Sequence, residues 1–321
     1  MNTSGKTSVL VTGASGFIGR HLVARLSQNP HLQIVQLTRT AAALPAISNV
    51  QEVNCALDNL TSAVWRDSGV DHIDWVFHLG GFIPKTTSVG DAVEEVYRDN
   101  LLGTRALLGS LPSRPGKVLF ASTSDVYAPA DEAAVLSEQS PLGPCTLYGA
   151  SKLFCENLIQ AYSRAQGCEC VLLRYGHIYG PGEGAYAKLI PQVIKAMLRN
   201  EAPMLYGDGS TLRDYLFVGD AVEATLRAAA ASPAFLGPLN IVSGVSRPIR
   251  EYVDIIAEIV GFSGDIQYLS NKPGGRSLRF DNSRMTSVLG HWAPHPLMEG
   301  LRQEIEYFKA VMSNKRGVLK T

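Results

Sequence analysis

Ser8-Val-Leu-Val-Thr-Gly-Ala-Ser-Gly-Phe-Ile-Gly-Arg-His-Leu-Val-Ala-Arg-Leu26 decides the architecture. A β-branched run breaks at Gly13 and resumes as a helical apolar pattern, which reads as strand, tight turn and helix. Gly13 permits the turn, Gly16 lets the backbone approach a pyrophosphate, and Gly19 lets the helix pack closely on the strand. Backbone N–H groups at the helix start then face the anion. The spacing is GxxGxxG rather than GxGxxG, so an ordinary glycine turn in an α/β protein is the competing reading.

Outward from this unit, strands and helices alternate. Strands are predicted at 8–12, 33–38, 74–79, 117–121, 170–174 and 238–242. Helices are predicted at 17–28, 91–110, 148–166, 187–199, 219–231, 249–260 and 298–312. Apolar runs such as Trp75-Val-Phe-His-Leu79 and Lys117-Val-Leu-Phe-Ala121, separated by helical patterns, predict a parallel sheet covered on both faces. Past residue 176, glycines and prolines thicken and the alternation loosens. That predicts insertions from the carboxyl edge of the sheet, forming a second lobe over a cofactor. The final Ser313-Asn-Lys-Arg-Gly-Val-Leu-Lys-Thr321 reads as a solvated tail.

Chemistry is concentrated in Tyr148 and Lys152, downstream of Thr123. Residues four apart share a helix face. A phenol titrates near ~10 and is a poor base at neutral pH. A nearby ammonium favours phenolate, and a cationic nicotinamide ring would add to the effect. A tyrosine so tuned can take a proton from a hydroxyl while hydride leaves the same carbon, or run the reverse. Thr123 is placed to hydrogen-bond the same substrate oxygen. A surface YxxxK arising by chance is the bland alternative.

Taken together, these residues resemble the extended short-chain dehydrogenase/reductases of the NAD-dependent epimerase/dehydratase family, which act on nucleotide sugars. The resemblance runs through VTGASGFIG (11–19), HLGG (78–81), DNLLGT (99–104), STSDVY (122–127), YGASK (148–152), RYGHIYGPGEG (174–184), GDGSTLRDYLFVGDAVEA (207–224) and LGHWAPHPLMEGL (289–301). It implies an α/β fold: a Rossmann doubly wound parallel sheet with a smaller C-terminal substrate-binding lobe. The expected division is 1–178 with 213–244 in the dinucleotide domain, 179–212 with 245–313 in the lobe, and 314–321 as tail. Tyr148, Lys152 and Thr123 would be catalytic, with Ser124 and Asp125 beside them. Gly13, Ser15, Gly16, Phe17, Ile18, Gly19, Arg39, Leu57, Leu79, Gly80 and Asn100, together with Tyr148 and Lys152, would line the cofactor. Lys85, His177, Arg213 and Lys272 would meet the nucleoside-diphosphate sugar.

Several positions depart from the family pattern. The second strand ends Gln36-Leu-Thr-Arg-Thr40, without the acid that binds ribose hydroxyls in NAD users. Arg39 suits a 2′-phosphate, which favours NADP over NAD; a solvent-facing Arg39 indifferent to cofactor is the alternative. The adenine-side acid is replaced by Ala56, with Asp58 two places on. His177 replaces an asparagine that contacts the substrate diphosphate; it would either titrate there or be structural. Lys272 stands for an arginine, keeping charge but losing the bidentate fork. Ser124 and Asp125 replace the acid pair of the 4,6-dehydratases, leaving one carboxylate. Asp125 can instead act as a local loop hydrogen-bonder. Lys85 would reach the sugar or be a plain loop lysine. For Arg213 the competing role is a structural ion pair with Asp214 or Asp220. The expected activity is therefore hydride chemistry at C4 of a nucleotide-diphosphate hexose, by a 4-epimerase or 4-ketoreductase. A 4,6-dehydratase and a non-catalytic NAD(P)-binding regulator remain as alternatives.

Composition agrees. The 321 residues are 45% hydrophobic and 18% charged, with a formal net charge of zero. That suits a globular core and argues against disorder. It gives no reason to expect nucleic acid or an acidic membrane as partner. Cys55, Cys145, Cys155, Cys168 and Cys170 have no CxxC or zinc spacing, so reduced thiols and no metal are expected, in a cytoplasmic protein. Cys168 and Cys170 are expected to be packing residues. The N-terminus lacks the apolar core of a signal peptide. A homodimer is the expected assembly.

Overall fold

The computed structural model describes residues 5–40, 47–84, 92–184, 188–232, 237–269, 275–290 and 293–318, with side chains to 313. In chain order the elements begin β1 (Thr7–Thr12), α1 (Phe17–Leu26), β2 (Leu32–Thr38), β3 (Val50–Asn54), α2 (Ser62–Asp67) and β4 (Trp75–His78). Next come α3 (Val93–Glu95), a π-helical stretch Val96–Leu102 and α4 (Gly103–Ser110) as one continuous run, then β5 (Lys117–Thr123) and β6 (Val135–Leu136). They continue as α5 (Leu147–Gln166), β7 (Glu169–Tyr175), β8 (His177–Tyr179), α6 (Leu189–Leu198), β9 (Met204–Tyr206), β10 (Leu212–Phe217) and α7 (Val218–Ala230). The last are β11 (Gly237–Ile241), β12 (Ser246–Pro248), α8 (Ile249–Val260), β13 (Gln267–Leu269), β14 (Arg279–Phe280), α9 (Ser283–Leu289) and α10 (Leu297–Val318).

A 7-stranded sheet runs β11-β7-β5-β4-β1-β2-β3, and every pairing in it is parallel. The strand order reverses between β1 and β4, where a doubly wound sheet opens its binding crevice. One apolar cluster lies on the α1 and α7 face and extends toward α6, α8 and α10; a second lies on the α4 and α5 face. Cys155 and Cys170 pack in the second cluster, where burial pushes both thiols above their ordinary range. This is the Rossmann architecture that the alternating pattern predicts.

β3, α2 and α9 are additional to that pattern. β3 is a sheet edge with a half-exposed, polar Val-Gln-Glu-Val-Asn sequence, so its apolar signal is weak. α2 and α9 have 6 and 7 residues, too short to show a helical period. A separate 3-stranded sheet, β12-β10-β8, carries the segment after β7 away from the main sheet. Among the described residues, no helix is long and apolar enough to cross a membrane.

Candidate active site

The glycine turn is a backbone-on-backbone contact. Gly13 has φ +66°, and a Cβ there would lie 2.7 Å from the Gly80 nitrogen and 2.8 Å from the Leu79 carbonyl carbon. A Cβ on Gly16 would sit 3.0 Å from the Gly13 carbonyl oxygen, and one on Gly19 would overlap that same oxygen. Gly19 therefore serves the turn itself, rather than only the helix-on-strand packing expected of it. α1 starts without a side-chain cap and without an acid in its first turn. The N–H groups of that turn, in the Phe17-Ile18 stretch, keep the positive end of the helix dipole for an anion. Arg20 folds back over the turn, donating to the carbonyls of Ser15 at 3.1 Å and Gly16 at 3.2 Å. Leu57 closes the floor, with its Cδ1 2.7 Å from where a Cβ on Gly80 would be. Such a cradle fits a dinucleotide pyrophosphate, because every position nearest the anion is bare backbone.

A buried chain of hydrogen bonds ties this turn to the next strand. The Gly80 N–H donates to Thr12 Oγ1 at 2.9 Å. Thr12 Oγ1 lies 2.8 Å from His78 Nδ1, and His78 Nε2 lies 2.9 Å from Thr104 Oγ1. Burial, with the positive charge of Lys152 adding to it, pushes His78 down to about 3, so the ring is neutral. One tautomer satisfies every group: the Thr12 hydroxyl donates to Nδ1, and Nε2–H donates to Thr104.

Asn100 sits in the π-helical stretch. Its Oδ1 accepts from the Phe82 N–H at 2.6 Å, while its Nδ2 donates to the Phe82 carbonyl at 3.1 Å and to Ser151 Oγ at 2.9 Å. Ser151 Oγ in turn donates to the Tyr148 carbonyl at 2.7 Å. Both ends of the Asn100 amide thus hold the loop after β4 against the start of α5. That is a supporting position behind the cofactor cradle.

Thr146 caps α5 by accepting from the Gly149 N–H at 2.9 Å. Gly149 has no room for a side chain: a Cβ would overlap the Asp125 carbonyl oxygen and lie 2.9 Å from Pro144 Cβ. This contact presses the first turn of α5 onto the Ser124–Val126 turn, which brings Tyr148 to the end of β5. There Thr123 Oγ1 accepts from the Asp125 N–H at 3.2 Å, so its own hydroxyl proton remains to be donated. Lys152 is buried, donates to the Ala121 carbonyl at 2.8 Å, and stands 5.8 Å from the centre of the Tyr148 ring. Burial pulls Lys152 down to about 8, while Cys155 and Glu156 hold it up.

One turn further along α5, Glu156 makes a buried bidentate pair with Arg174 of β7, at 3.0 Å and 2.8 Å. Glu156 also accepts from Ser122 Oγ at 2.5 Å. Arg174 reaches Tyr127, whose hydroxyl donates to Asn240 Oδ1 at 2.5 Å. The network bolts α5 to β5, β7 and β11 behind the Tyr–Lys pair. Neither it nor the Thr12–His78–Thr104 chain is foreseen in the sequence reading, where the one available signal is a charged pair inside otherwise apolar runs.

Strand register connects the reaction centre to Arg213. Thr123 pairs with Tyr175; two residues on, His177 pairs with Tyr215; two residues back is Arg213. Arg213 donates to the carbonyls of Leu212 at 2.8 Å and Arg276 at 2.5 Å. Desolvation depresses its pKa. Asp214 is used by Ser243 and Gly244, and Asp220 by His295, so neither supplies the ion pair of the competing reading. Among the described residues, no carboxylate pairs with Arg213. His177 is pushed down to about 3 by burial, then by Arg213 and Lys188, which favours the structural reading over a titrating one. Arg39 follows β2 with a 71% exposed side chain, 3.5 Å from Asp99. Lys85 and Lys272 lie outside the described residues.

Residues 9–241 match the NAD dependent epimerase/dehydratase family. The chain is 31% identical over 322 residues to the UDP-glucose 4-epimerase of Azospirillum brasilense, covering 93% of this chain and 91% of that protein. Its fold superposes with TM-score 0.83 on the UDP-glucuronic acid 4-epimerase of Bacillus cereus in complex with UDP-glucuronic acid and NAD, at 27% identity over 95% and 100% of the two chains. MoeE5 in complex with UDP-glucose and NAD is similar at TM-score 0.82 and 33% identity, over 95% and 99%. With the glycine cradle, the Tyr–Lys pair and this match over most of its length, the chain belongs to the NAD dependent epimerase/dehydratase family.

Proposed function

We propose that this chain is a UDP-hexose 4-epimerase working with a bound nicotinamide dinucleotide. The observation that carries the reading is Arg213, a half-buried guanidinium with no carboxylate partner among the described residues, placed by strand register beyond the Thr123–Tyr148–Lys152 cluster. A partly desolvated charge without a counter-ion is costly, and a diphosphate relieves the cost bidentately. Tyr148 Oη takes the proton of the sugar 4-hydroxyl and later returns one to the same oxygen. Lys152 stabilises the phenolate and orients the cofactor ribose, and Thr123 donates a hydrogen bond to that oxygen. A dinucleotide would be held by Gly13, Ser15, Gly16, Phe17, Ile18 and Gly19, and would supply the acceptor and donor of hydride at C4. The single carboxylate of Asp125 beside Ser124 gives no acid–base pair for 4,6-elimination.

UDP is the nucleotide we assign, because all three similar proteins act on or hold UDP sugars. The cofactor we assign is NAD, because both similar solved structures hold it. A 4-ketoreductase using NADP is the second reading, favoured by one observation: the exposed Arg39 guanidinium at the end of β2. The domain limits stay as expected from sequence, with residues 179–212 and 245–313 as the sugar-nucleotide lobe. A homodimer is proposed through the α3–α4 run and α5, which pack together and expose Val93, Tyr97 and Phe154 at 41%, 52% and 53%.

The test is incubation with UDP-glucose, UDP-galactose or UDP-glucuronic acid without added cofactor, followed by anomeric-proton NMR. Interconversion of C4 epimers supports the proposal. No interconversion, with NADPH consumed only on a 4-keto sugar, replaces it with the reductase.

A further inference from the structure

Thr123 and Tyr148 lie at the two ends of one loop. Residues 127–145 leave the Ser124–Val126 turn, which Thr123 caps, and return to Thr146, which caps α5 just before Tyr148. The base of the loop is closed: the Ala128 N–H donates to the Pro141 carbonyl at 2.9 Å, and the Gly143 N–H to the Val126 carbonyl at 3.1 Å. Farther out, residues 130–136 meet a distant segment, residues 275–281.

That segment is a strap with two bonded edges. One edge lies along β10. The Leu278 N–H donates to the Leu212 carbonyl at 3.1 Å, the Leu212 N–H to Ser277 Oγ at 3.1 Å, and Arg213 Nη1 to the Arg276 carbonyl at 2.5 Å. Gly275, at φ +78°, lets the strap come so near that a Cβ there would lie 3.1 Å from Arg213 Nη2. The other edge holds the loop. β14 pairs in parallel with β6, Arg279 against Val135 and Phe280 against Leu136. The Asp281 N–H donates to the Leu136 carbonyl at 2.9 Å, Arg279 to the Glu132 carbonyl at 2.6 Å, and the Arg276 guanidinium to the Ala130 carbonyl. At this junction Phe280 packs with Leu136, Val126 and Tyr127, and Leu153, the neighbour of Lys152, borders the same cluster. Arg276 takes part on both edges: its carbonyl receives Arg213, and its side chain holds the loop.

We propose that Arg276 is a positioning residue that ties the diphosphate end of the site to the reaction centre. The proposal rests on the UDP-sugar reading above. A diphosphate on Arg213 fixes that guanidinium, and with it the Arg276 carbonyl and the strap. The strap then fixes the outer part of the loop whose ends carry Thr123 and Tyr148. Interaction with the non-reacting part of the substrate is thereby used to align the groups that meet the sugar oxygen, which raises kcat rather than affinity.

The chemistry of residue 276 separates the two edges. Arg213 is bonded to a backbone carbonyl, which any substitution keeps. Arg276→Met therefore breaks the tie at the loop and leaves the Arg213 side in place. Calorimetric titration should give it a UDP affinity within about threefold of wild type. Turnover of a UDP-hexose should fall by about tenfold or more, inside the roughly hundredfold loss that an ångström of misplacement can bring. Arg276→Lys should recover part of that turnover, because it keeps a charged donor. Hydrogen exchange read by mass spectrometry reports the coupling itself. Saturating UDP should slow exchange in peptides spanning 128–136 of wild type, and the slowing should vanish in Arg276→Met.

Unchanged turnover in a folded Arg276→Met protein overturns the proposal. So does a UDP affinity that falls as far as turnover, which makes Arg276 a binding residue instead. Should Arg276→Met fail to fold, wild type decides: slowing across 128–136 on UDP binding supports the tie, and its absence overturns it. If wild type binds no UDP, the UDP-sugar reading fails, and exchange without ligand judges the contact that remains. Arg276→Met should then exchange faster than wild type across 128–136, and equal rates overturn the tie.

Discussion

Glu156→Ala is the most demanding test of how this site is held. The substitution leaves Arg174, 3% exposed, without its bidentate partner and leaves Ser122 without an acceptor. Removing one partner of a buried pair costs about 3–5 kcal/mol, because the remaining charge is uncompensated. Unfolding entropy of roughly 2.1 cal/mol/K per residue makes each kcal/mol about 1.5 °C for a chain of 321 residues. The expected drop in melting temperature is therefore about 4–7 °C. Glu156→Leu combined with Arg174→Met removes both charges and should recover most of that loss. Activity should not recover with stability, because the double variant still lacks the Ser122 and Tyr127 contacts that set α5 against β5. The assay is calorimetric melting of the three proteins beside turnover on a UDP-hexose. A Glu156→Ala protein that melts within 1 °C of wild type, or a double variant as unstable as the single, would refute the uncompensated-charge reasoning.

Tyr148→Phe should lower turnover by ~10² or more with cofactor affinity little changed, since it removes the proton carrier and keeps the ring; near-normal turnover on an epimerised sugar would sink the mechanism. Arg213→Ala should weaken UDP by roughly 10–150-fold, the range of a hydrogen bond to a charged group, and leave the melting temperature of the dinucleotide complex nearly unchanged; early melting with normal UDP affinity would return Arg213 to the scaffold. Nitrogen-15 NMR of the histidines should show His78 and His177 neutral from pH 8 down to 5. Both pKa values are depressed, so the stability they contribute is present above ~6.5 and lost as pH falls toward about 3. A ring in either position that titrates near 6.5 contradicts the burial described.

What the sequence made legible is what local chemistry enforces. The β1 turn is visible because only glycine tolerates its backbone, and Tyr148 and Lys152 because a helix fixes their spacing. β3 stayed hidden because an edge strand needs no continuous apolar run. The supports of the site were hidden for a different reason: Thr12 and His78 are 66 residues apart. No periodicity reports a partner at that distance. Glu304 shows the same limit: an acid on α10 that is fully buried where Gly300 meets the Tyr179 hydroxyl of β8. Arg39 was legible as a residue, but its exposure leaves the choice of 2′-phosphate to a ligand rather than to the fold.

The contact between the turns after β1 and β4 also bears on how a dinucleotide would come and go. That wall is glycine against glycine, locked by the Gly80–Thr12 hydrogen bond and backed by Leu57. The opposite wall carries Arg20, with exposed hydrogen bonds, and Lys188, 40% exposed. Side chains of that kind reorient in picoseconds to nanoseconds, whereas displacing packed strands takes far longer. Exchange would then proceed on the lobe side, and a sugar nucleotide already seated there would slow the departure of the molecule beneath it.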